Sequence, residues 1–166
     1  MQNKTRKMET LVNVAIVVVA VALCAVLAKQ YLLTNASERM HGPEVGSKLE
    51  LAGLDLSGED RTLLLVLQKG CHFCTESGPF YQRLAREAAA RGGRVKLLAV
   101  LPQDEAEGRK YLDGLGVTIE RVAQARLGSL DVTGTPTLIM LDRGKVSDVW
   151  VGALTPERET EVLNKL

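Results

Sequence analysis

Two cysteines separated by two residues, Cys71 and Cys74, are the side chains of this 166-residue chain whose spacing most clearly allows chemistry. They follow the apolar run 62–67 and stand at the start of a helical pattern. One helical turn brings residues i and i+3 onto one face, and the unpaired amides at a helix N-terminus favour a thiolate on the first cysteine. The pair can therefore open and close as a disulfide.

Metal binding is the main alternative, because Cys-x-x-Cys is also half of a zinc-binding motif. The remaining cysteine, Cys24, lies in an apolar segment, and the histidines are His41 and His72. A closed zinc site therefore lacks a second ligand pair. Delivery of Cu(I) stays open as a competing function, with Cys71, Cys74 and either histidine as soft ligands. We predict no structural metal site and no cofactor.

The N-terminal region predicts a membrane segment. Three basic residues precede an apolar stretch that begins at residue 11, and at about 1.5 Å per residue its helix approaches the ~30 Å hydrocarbon core. We predict a signal anchor at 11–33, because the stretch exceeds the ~7–15 residues of a cleaved signal peptide, the rival interpretation. The basic residues place 1–10 in the cytoplasm of a bacterium and the rest of the chain outside it, in the periplasm or beyond, where disulfides persist.

The charge of the exported part gives no indication of a nucleic-acid partner. Residues from Thr34 onward carry a net charge of about −2, because four of the 21 basic residues but only one of the 20 acidic residues precede them. Such a balance is not that of a basic nucleic-acid surface. A polar tether is predicted at 34–42, followed by a single domain at 43–166.

Within the domain, apolar runs without alternation predict buried strands at 62–67 and 95–101. Helical periodicity predicts a helix over 72–91 that Pro79 kinks. The other predicted elements are short strands at 48–52, 53–56 and 117–119, helices at 104–112, 122–127 and 156–165, and a hairpin of 136–141 with 145–151. This order indicates an α/β fold with a mixed central sheet flanked by helices.

Taken together, these features resemble the thioredoxin superfamily, and most closely its membrane-anchored, exported thiol:disulfide oxidoreductases of the TlpA and ResA type. The resemblance covers 43–166 and depends on four elements: the strand before Cys71-His-Phe-Cys74, Pro79 five residues later, an extra strand-helix unit, and Val132-Thr-Gly-Thr-Pro-Thr-Leu-Ile-Met-Leu-Asp142. It implies a thioredoxin-like fold, a redox-active Cys71–Cys74 disulfide, and a cis peptide bond between Thr135 and Pro136 beside the dithiol.

The resemblance also implies an enzyme that acts on protein disulfides or thiols, more as a reductase than as an oxidase, with a second redox partner supplying or accepting electrons. Cys71 would attack as the thiolate and Cys74 would resolve the mixed disulfide. By the same resemblance, the backbone at Thr135 and Pro136 would pair with an extended substrate segment.

Two residues between the cysteines are candidates for tuning the site. A cationic His72 would stabilise the Cys71 thiolate and make the disulfide more oxidising, whereas an exposed His72 would have little effect. Phe73 would supply an apolar rim. Peroxiredoxins share the extra strand-helix unit, but the residues before Cys71 do not match the Pro-x-x-x-Thr-x-x-Cys pattern of their nucleophile.

Three departures from the family affect the proton chemistry. Gln68-Lys-Gly70 replaces the usual aromatic residues before the first cysteine, Leu65 stands where thioredoxins bury an acid, and Ser77 stands where the anchored type has a glutamate. The proton acceptor for Cys74 is therefore unassigned. The candidates are water, Glu76 and Lys69.

Overall fold

The computed structural model describes residues 16–24, 26 and 40–166. Residues 16–24 are helical, with exposed apolar side chains. Most of the predicted signal anchor at 11–33 lies outside the described residues. In the part of the chain that is described, no helix is both long and apolar enough to cross a membrane.

The compact domain spans Met40–Leu166, so it begins three residues before the predicted boundary. Its five-stranded sheet has the order β3-β2-β1-β4-β5. β1 pairs in parallel with β2 and β2 with β3, while β4 runs antiparallel to both β1 and β5. The strands are β1 (Arg61–Val66), β2 (Lys96–Leu101), β3 (Arg121–Gln124), β4 (Thr137–Asp142) and β5 (Lys145–Val151). The predicted α/β fold with a mixed sheet is confirmed.

Four helices accompany the sheet: α1 (His72–Glu76), α2 (Gly78–Ala90), α3 (Glu105–Gly114) and α4 (Pro156–Asn164). The predicted kink is a complete break at Ser77, because Pro79 has no N–H to continue the hydrogen-bond ladder of α1. Phe80 and Tyr81 instead donate their amide hydrogen bonds to Ser77 O, which starts the second helix. The break leaves α1 as a short separate helix that carries the cysteines.

The two faces of the sheet are covered differently. One face packs against α2, α3 and α4 through a core that includes Leu65, Leu84 and Trp150. The other face carries Leu64 and Ile139, among other apolar residues. No α-helix of residues 40–166 covers this face; the side chains that pack on it come from irregular segments, including Leu49–Leu56 and the 3₁₀ turn Leu127–Leu130. At least 30 apolar side chains of residues 40–166 are buried in these two clusters.

Four local predictions were wrong. The strand expected at 117–119 is irregular, and the helix expected at 122–127 is instead β3 followed by a 3₁₀ turn at Leu127–Leu130. β3 begins later than the predicted strand because Gly116, with φ +67°, turns the chain after α3. Residues 117–120 then connect this turn to the edge of the sheet, where β3 lies. The strands expected at 48–52 and 53–56 form only single bridges, Lys48 with Lys145 and Leu51 with Leu54.

Candidate active site: a disulfide at the start of a short helix

Cys71 and Cys74 are joined by a disulfide, with their Cα atoms 5.2 Å apart. The chain leaves β1 at Val66 and turns through Gly70, whose φ of +85° favours glycine. Cys71 then takes the extended conformation of a helix N-cap, and Cys74 lies one turn inside α1. The predicted juxtaposition of the two sulfurs at the carboxyl end of a buried strand is therefore present.

The two cysteines differ in accessibility and in hydrogen bonding. Cys71 is half-buried, whereas Cys74 has an exposed fraction of 0%. The Cys74 amide donates a hydrogen bond of 3.1 Å to Cys71 Sγ. A donor at that position stabilises negative charge on the sulfur more than it stabilises a neutral thiol. After reduction, Cys71 is therefore the sulfur that is both reachable and favoured as a thiolate.

The loop before β4 lies directly against this sulfur. The peptide bond between Thr135 and Pro136 is cis, and Thr135 O is 3.3 Å from Cys71 Sγ, where a reduced thiol could donate to it. Pro136 O accepts a hydrogen bond from the Gly152 amide (2.8 Å), and Gly134 O accepts one from Thr137 Oγ1 (2.8 Å). Among the described residues, the Thr135 amide donates no hydrogen bond, so it is available to an incoming chain.

His72 and Phe73 both lie on the exposed side of α1. The His72 side chain is 77% exposed, and its Nε2 is 3.1 Å from Glu76 Oε1, an i,i+4 pair along the helix. Phe73 is 50% exposed, with its ring centroid 5.6 Å from that of His72. The Glu76 carboxylate therefore offsets the positive charge of His72 whenever the imidazole is protonated.

The candidate proton acceptors are engaged elsewhere. Glu76 pairs with His72, and Lys69 Nζ lies 3.1 Å from Glu107 Oε1 on α3. Within residues 40–166 the buried polar side chains are those of Thr62, Tyr81 and Thr137, and no carboxylate is buried. Leu65 occupies the core on the face that also packs Cys74. The acid that thioredoxins bury has no substitute among these residues, so the acceptor for Cys74 stays unassigned.

His41 does not approach the dithiol as a ligand. Its ring contacts Thr133 Oγ1 through Nδ1 at 3.3 Å, and Asp131 Oδ1 through Nε2 at 3.9 Å. In the described part of the chain, no group of three or more His, Cys, Asp or Glu side chains is arranged to hold a metal ion. The geometry therefore does not favour the Cu(I) alternative.

Two features near the site had no signal in the sequence. A cavity of about 590 Å³ lies between α1 and α3, beside the dithiol helix, with Lys69, Thr75 and Tyr111 among its lining residues. Thr75 joins it to the site, because its Oγ1 donates to Cys71 O at 3.2 Å. The second feature is Met40, which packs against the loop that carries Thr135. Both depend on contacts between residues distant in the chain.

No protein-family model matches the sequence, and no curated protein matches it. Solved structures do resemble the domain. A DsbE-type thiol:disulfide interchange protein from Chlorobium tepidum is 24% identical with a TM-score of 0.53, and the match covers 74% of this chain and 94% of that one. The thioredoxin domain of a thiol-disulfide oxidoreductase from Bacteroides vulgatus is 17% identical with a TM-score of 0.52, covering 76% and 98%.

A DsbF homologue from Corynebacterium diphtheriae is 16% identical with a TM-score of 0.52, covering 75% of this chain and 86% of its own. These neighbours are thioredoxin-like thiol:disulfide oxidoreductases and their homologues. At such low identities the likeness defines the fold of the chain and not its substrate.

Proposed function

Because the chain has the thioredoxin-like fold with a Cys71–Cys74 pair at its active-site position, we propose that it is a thiol:disulfide oxidoreductase acting on protein substrates. The observation that carries the proposal is the contact between the accessible sulfur of Cys71 and the Thr135 carbonyl before a cis proline. This contact puts a reactive sulfur beside the backbone of Thr135, whose amide donates no hydrogen bond to any described residue, and exchange with an extended chain requires such an arrangement.

In the reducing direction the exchange has two steps. The Cys71 thiolate attacks one sulfur of a substrate disulfide, which breaks that bond and releases a substrate thiolate that takes up a proton. Cys74 then loses its proton and attacks Cys71 Sγ, which releases the second substrate thiol and forms the Cys71–Cys74 disulfide. Two electrons pass to the substrate, and a dithiol partner must return two electrons to the enzyme.

We propose reduction as the direction because of the charge around His72. A free imidazolium beside Cys71 would stabilise the thiolate and make the disulfide a stronger oxidant. Glu76, 3.1 Å from His72 Nε2, offsets that charge. Equilibration with glutathione buffers measures the outcome. We expect a potential nearer −270 than −120 mV, the ends of the span known for such proteins, and a value at the upper end would contradict the reducing role.

We further propose that the domain works outside the cytoplasm, tethered by residues 11–33. The support is the sequence itself: a long apolar stretch preceded by basic residues, and a dithiol whose catalytic use suits an oxidising compartment. Membranes washed with carbonate should retain the full chain, and external protease should reach the domain in spheroplasts. Release into the wash, or protection from the protease, would refute this location.

Trapping tests the activity in cells. The Cys74→Ser variant cannot resolve the mixed disulfide, so we expect covalent adducts of substrate proteins on Cys71 that reductant releases. The matched control is the Cys71→Ser, Cys74→Ser double variant, which should trap none. If Cys74→Ser yields no adducts beyond the control, and the purified wild-type disulfide does not react with dithiothreitol, the proposed activity is refuted.

A further inference from the structure

The Met40 side chain packs against two glycines, Gly134 and Gly152, whose backbone adjoins the Thr135–Pro136 loop. It packs over Gly134, so closely that a Cβ at that glycine would collide with the Met40 side chain, and its Cε lies 3.4 Å from where a Cβ of Gly152 would stand. Gly134 precedes Thr135 directly, and the Gly152 amide donates to Pro136 O. Met40 therefore lies next to the backbone that is 3.3 Å from Cys71 Sγ.

The position of Met40 is fixed by the residue that follows it. His41 N–H donates to Thr133 Oγ1 at 2.7 Å, and the Thr133 amide donates back to His41 O at 3.0 Å. Gly42 continues the contact, since a Cβ there would lie 2.6 Å from the Val149 side chain. These bonds hold Met40 to the same loop that carries the cis proline, so it is a built part of the site.

Met40 is also unusual in its exposure. In residues 40–166 the exposed large hydrophobic side chains are Met40 (45%), Val45 (61%) and Phe73 (50%). Phe73 lies on α1 and Met40 packs on the loop, and these are the two elements that meet at the contact between Cys71 and Thr135. Apolar surface is thus left uncovered on both elements that form the reactive centre.

We propose that Met40 is a specificity-determining residue, which contacts the side chain next to the reactive cysteine of an extended protein substrate and favours an apolar residue there. This inference rests on the proposed function. The Thr135 amide, which donates no hydrogen bond within the described part of the chain, can bond the substrate backbone. The Met40 thioether is flexible and polarizable, so it adapts to aliphatic and aromatic side chains of different shape. Charged side chains would lose solvation against it without gaining a partner.

Two matched disulfide peptides test the proposal, one with leucine and one with serine on both sides of each cysteine. The full chain, purified in mild detergent and reduced, is mixed with each peptide and with the small disulfide hydroxyethyl disulfide, and released thiols are counted after acid quenching. We expect Met40→Gln to lower kcat/KM for the leucine peptide by about fivefold, from the apolar contact it removes. The rates for the serine peptide and for hydroxyethyl disulfide should change less than about twofold.

Two control variants separate specificity from structure. Met40→Leu keeps the apolar volume and should retain the preference for the leucine peptide. Val45→Gln changes a more exposed apolar residue, which lies five positions after Met40 and next to Gly46. The Gly46 amide donates to Val146 O, at the opposite end of β5 from Gly152, so this variant should leave every rate unchanged.

Equal loss on all three substrates by Met40→Gln would show a structural role and overturn the inference, as would a wild-type enzyme that reduces both peptides equally. Those outcomes leave the oxidoreductase activity itself intact. A wild-type enzyme that reduces none of the three, the small disulfide included, would refute the proposed function and the inference with it.

Discussion

The difference in accessibility between the two cysteines predicts which sulfur reacts first. In the reduced full chain carrying Cys24→Ser, which removes the free third cysteine, iodoacetamide at pH 7 should alkylate Cys71 far faster than Cys74. Cys71 is half-buried at the helix N-cap, whereas Cys74 has no exposed surface. The reaction therefore tests the assignment of Cys71 as the attacking thiolate and Cys74 as the resolving one.

Two effects set the size of the difference. The hydrogen bond from the Cys74 amide to Cys71 Sγ is charge-assisted once the thiolate forms, and such bonds contribute about 1.5–3 kcal/mol, or about 10–150-fold more thiolate. Lower intrinsic nucleophilicity cancels about half of that gain on a logarithmic scale, which leaves a factor of about 3–12. Alkylation of Cys74 also requires local opening, and an opening free energy of only ~3 kcal/mol slows it about 150-fold. The combined rate ratio should be at least about 100.

The assay is a time course of alkylation, stopped with acid and read by mass spectrometry of the peptides that carry each cysteine. The Cys74→Ser variant keeps the backbone amide at position 74, so its Cys71 should retain most of the wild-type rate. In denaturant the two cysteines should react within about twofold of each other, since burial and the amide contact are both lost. A native rate for Cys74 within about tenfold of that for Cys71 would refute the assignment.

Two other predictions concern stability. Thr62→Val removes a buried hydroxyl with no hydrogen-bond partner among the described residues, so it should raise the free energy of unfolding by about 1 kcal/mol in urea titrations. A loss of that size would mean that the hydroxyl is bonded. The Asp55 side chain accepts hydrogen bonds from the Ser57 hydroxyl and amide, which lower the pKa of that carboxyl. A carboxyl whose pKa is lower in the folded than in the unfolded state stabilises the fold at pH values above the unfolded-state pKa, and this stabilisation is lost as pH falls through the folded-state pKa. Asp55→Asn should therefore lower Tm at pH 7 but not at pH 2. An equal drop in Tm at both pH values would contradict this cause.

Buried strands were the most predictable part of the fold. The runs 62–67 and 95–101 are apolar except at Thr62 and Lys96, because both faces of these strands pack against other layers. The observed bounds of β1 and β2 differ from the predicted ones by one residue. The edge strand β3 was missed because only Val122 of its four residues is buried. Arg121 and Gln124 are polar and Ala123 is only partly buried, so the pattern resembles a short helix as much as a strand.

The chemistry of the site was predictable where it is local. Cys71 and Cys74 are three residues apart, and a single helical turn brings them together, as the sequence predicts. The surroundings of the dithiol depend on contacts across the chain that no spacing reveals. Met40 was assigned to a tether and instead packs on Gly134, 94 positions later in the chain. His72 was assessed without its partner, because the i,i+4 contact with Glu76 depends on the side-chain conformations.

The segment that covers the helix-free face of the sheet also limits where the domain can be cut. Leu49, Leu51 and Leu56 shield Leu64 and Ile139 from water, and the backbone bonds of Gly46 and Leu49 to the β5 hairpin keep them there. A protease that cleaved within 43–56 would remove this cover and release a fragment with an exposed, aggregation-prone sheet face. Proteolytic release of an intact, active domain therefore requires cleavage before Met40.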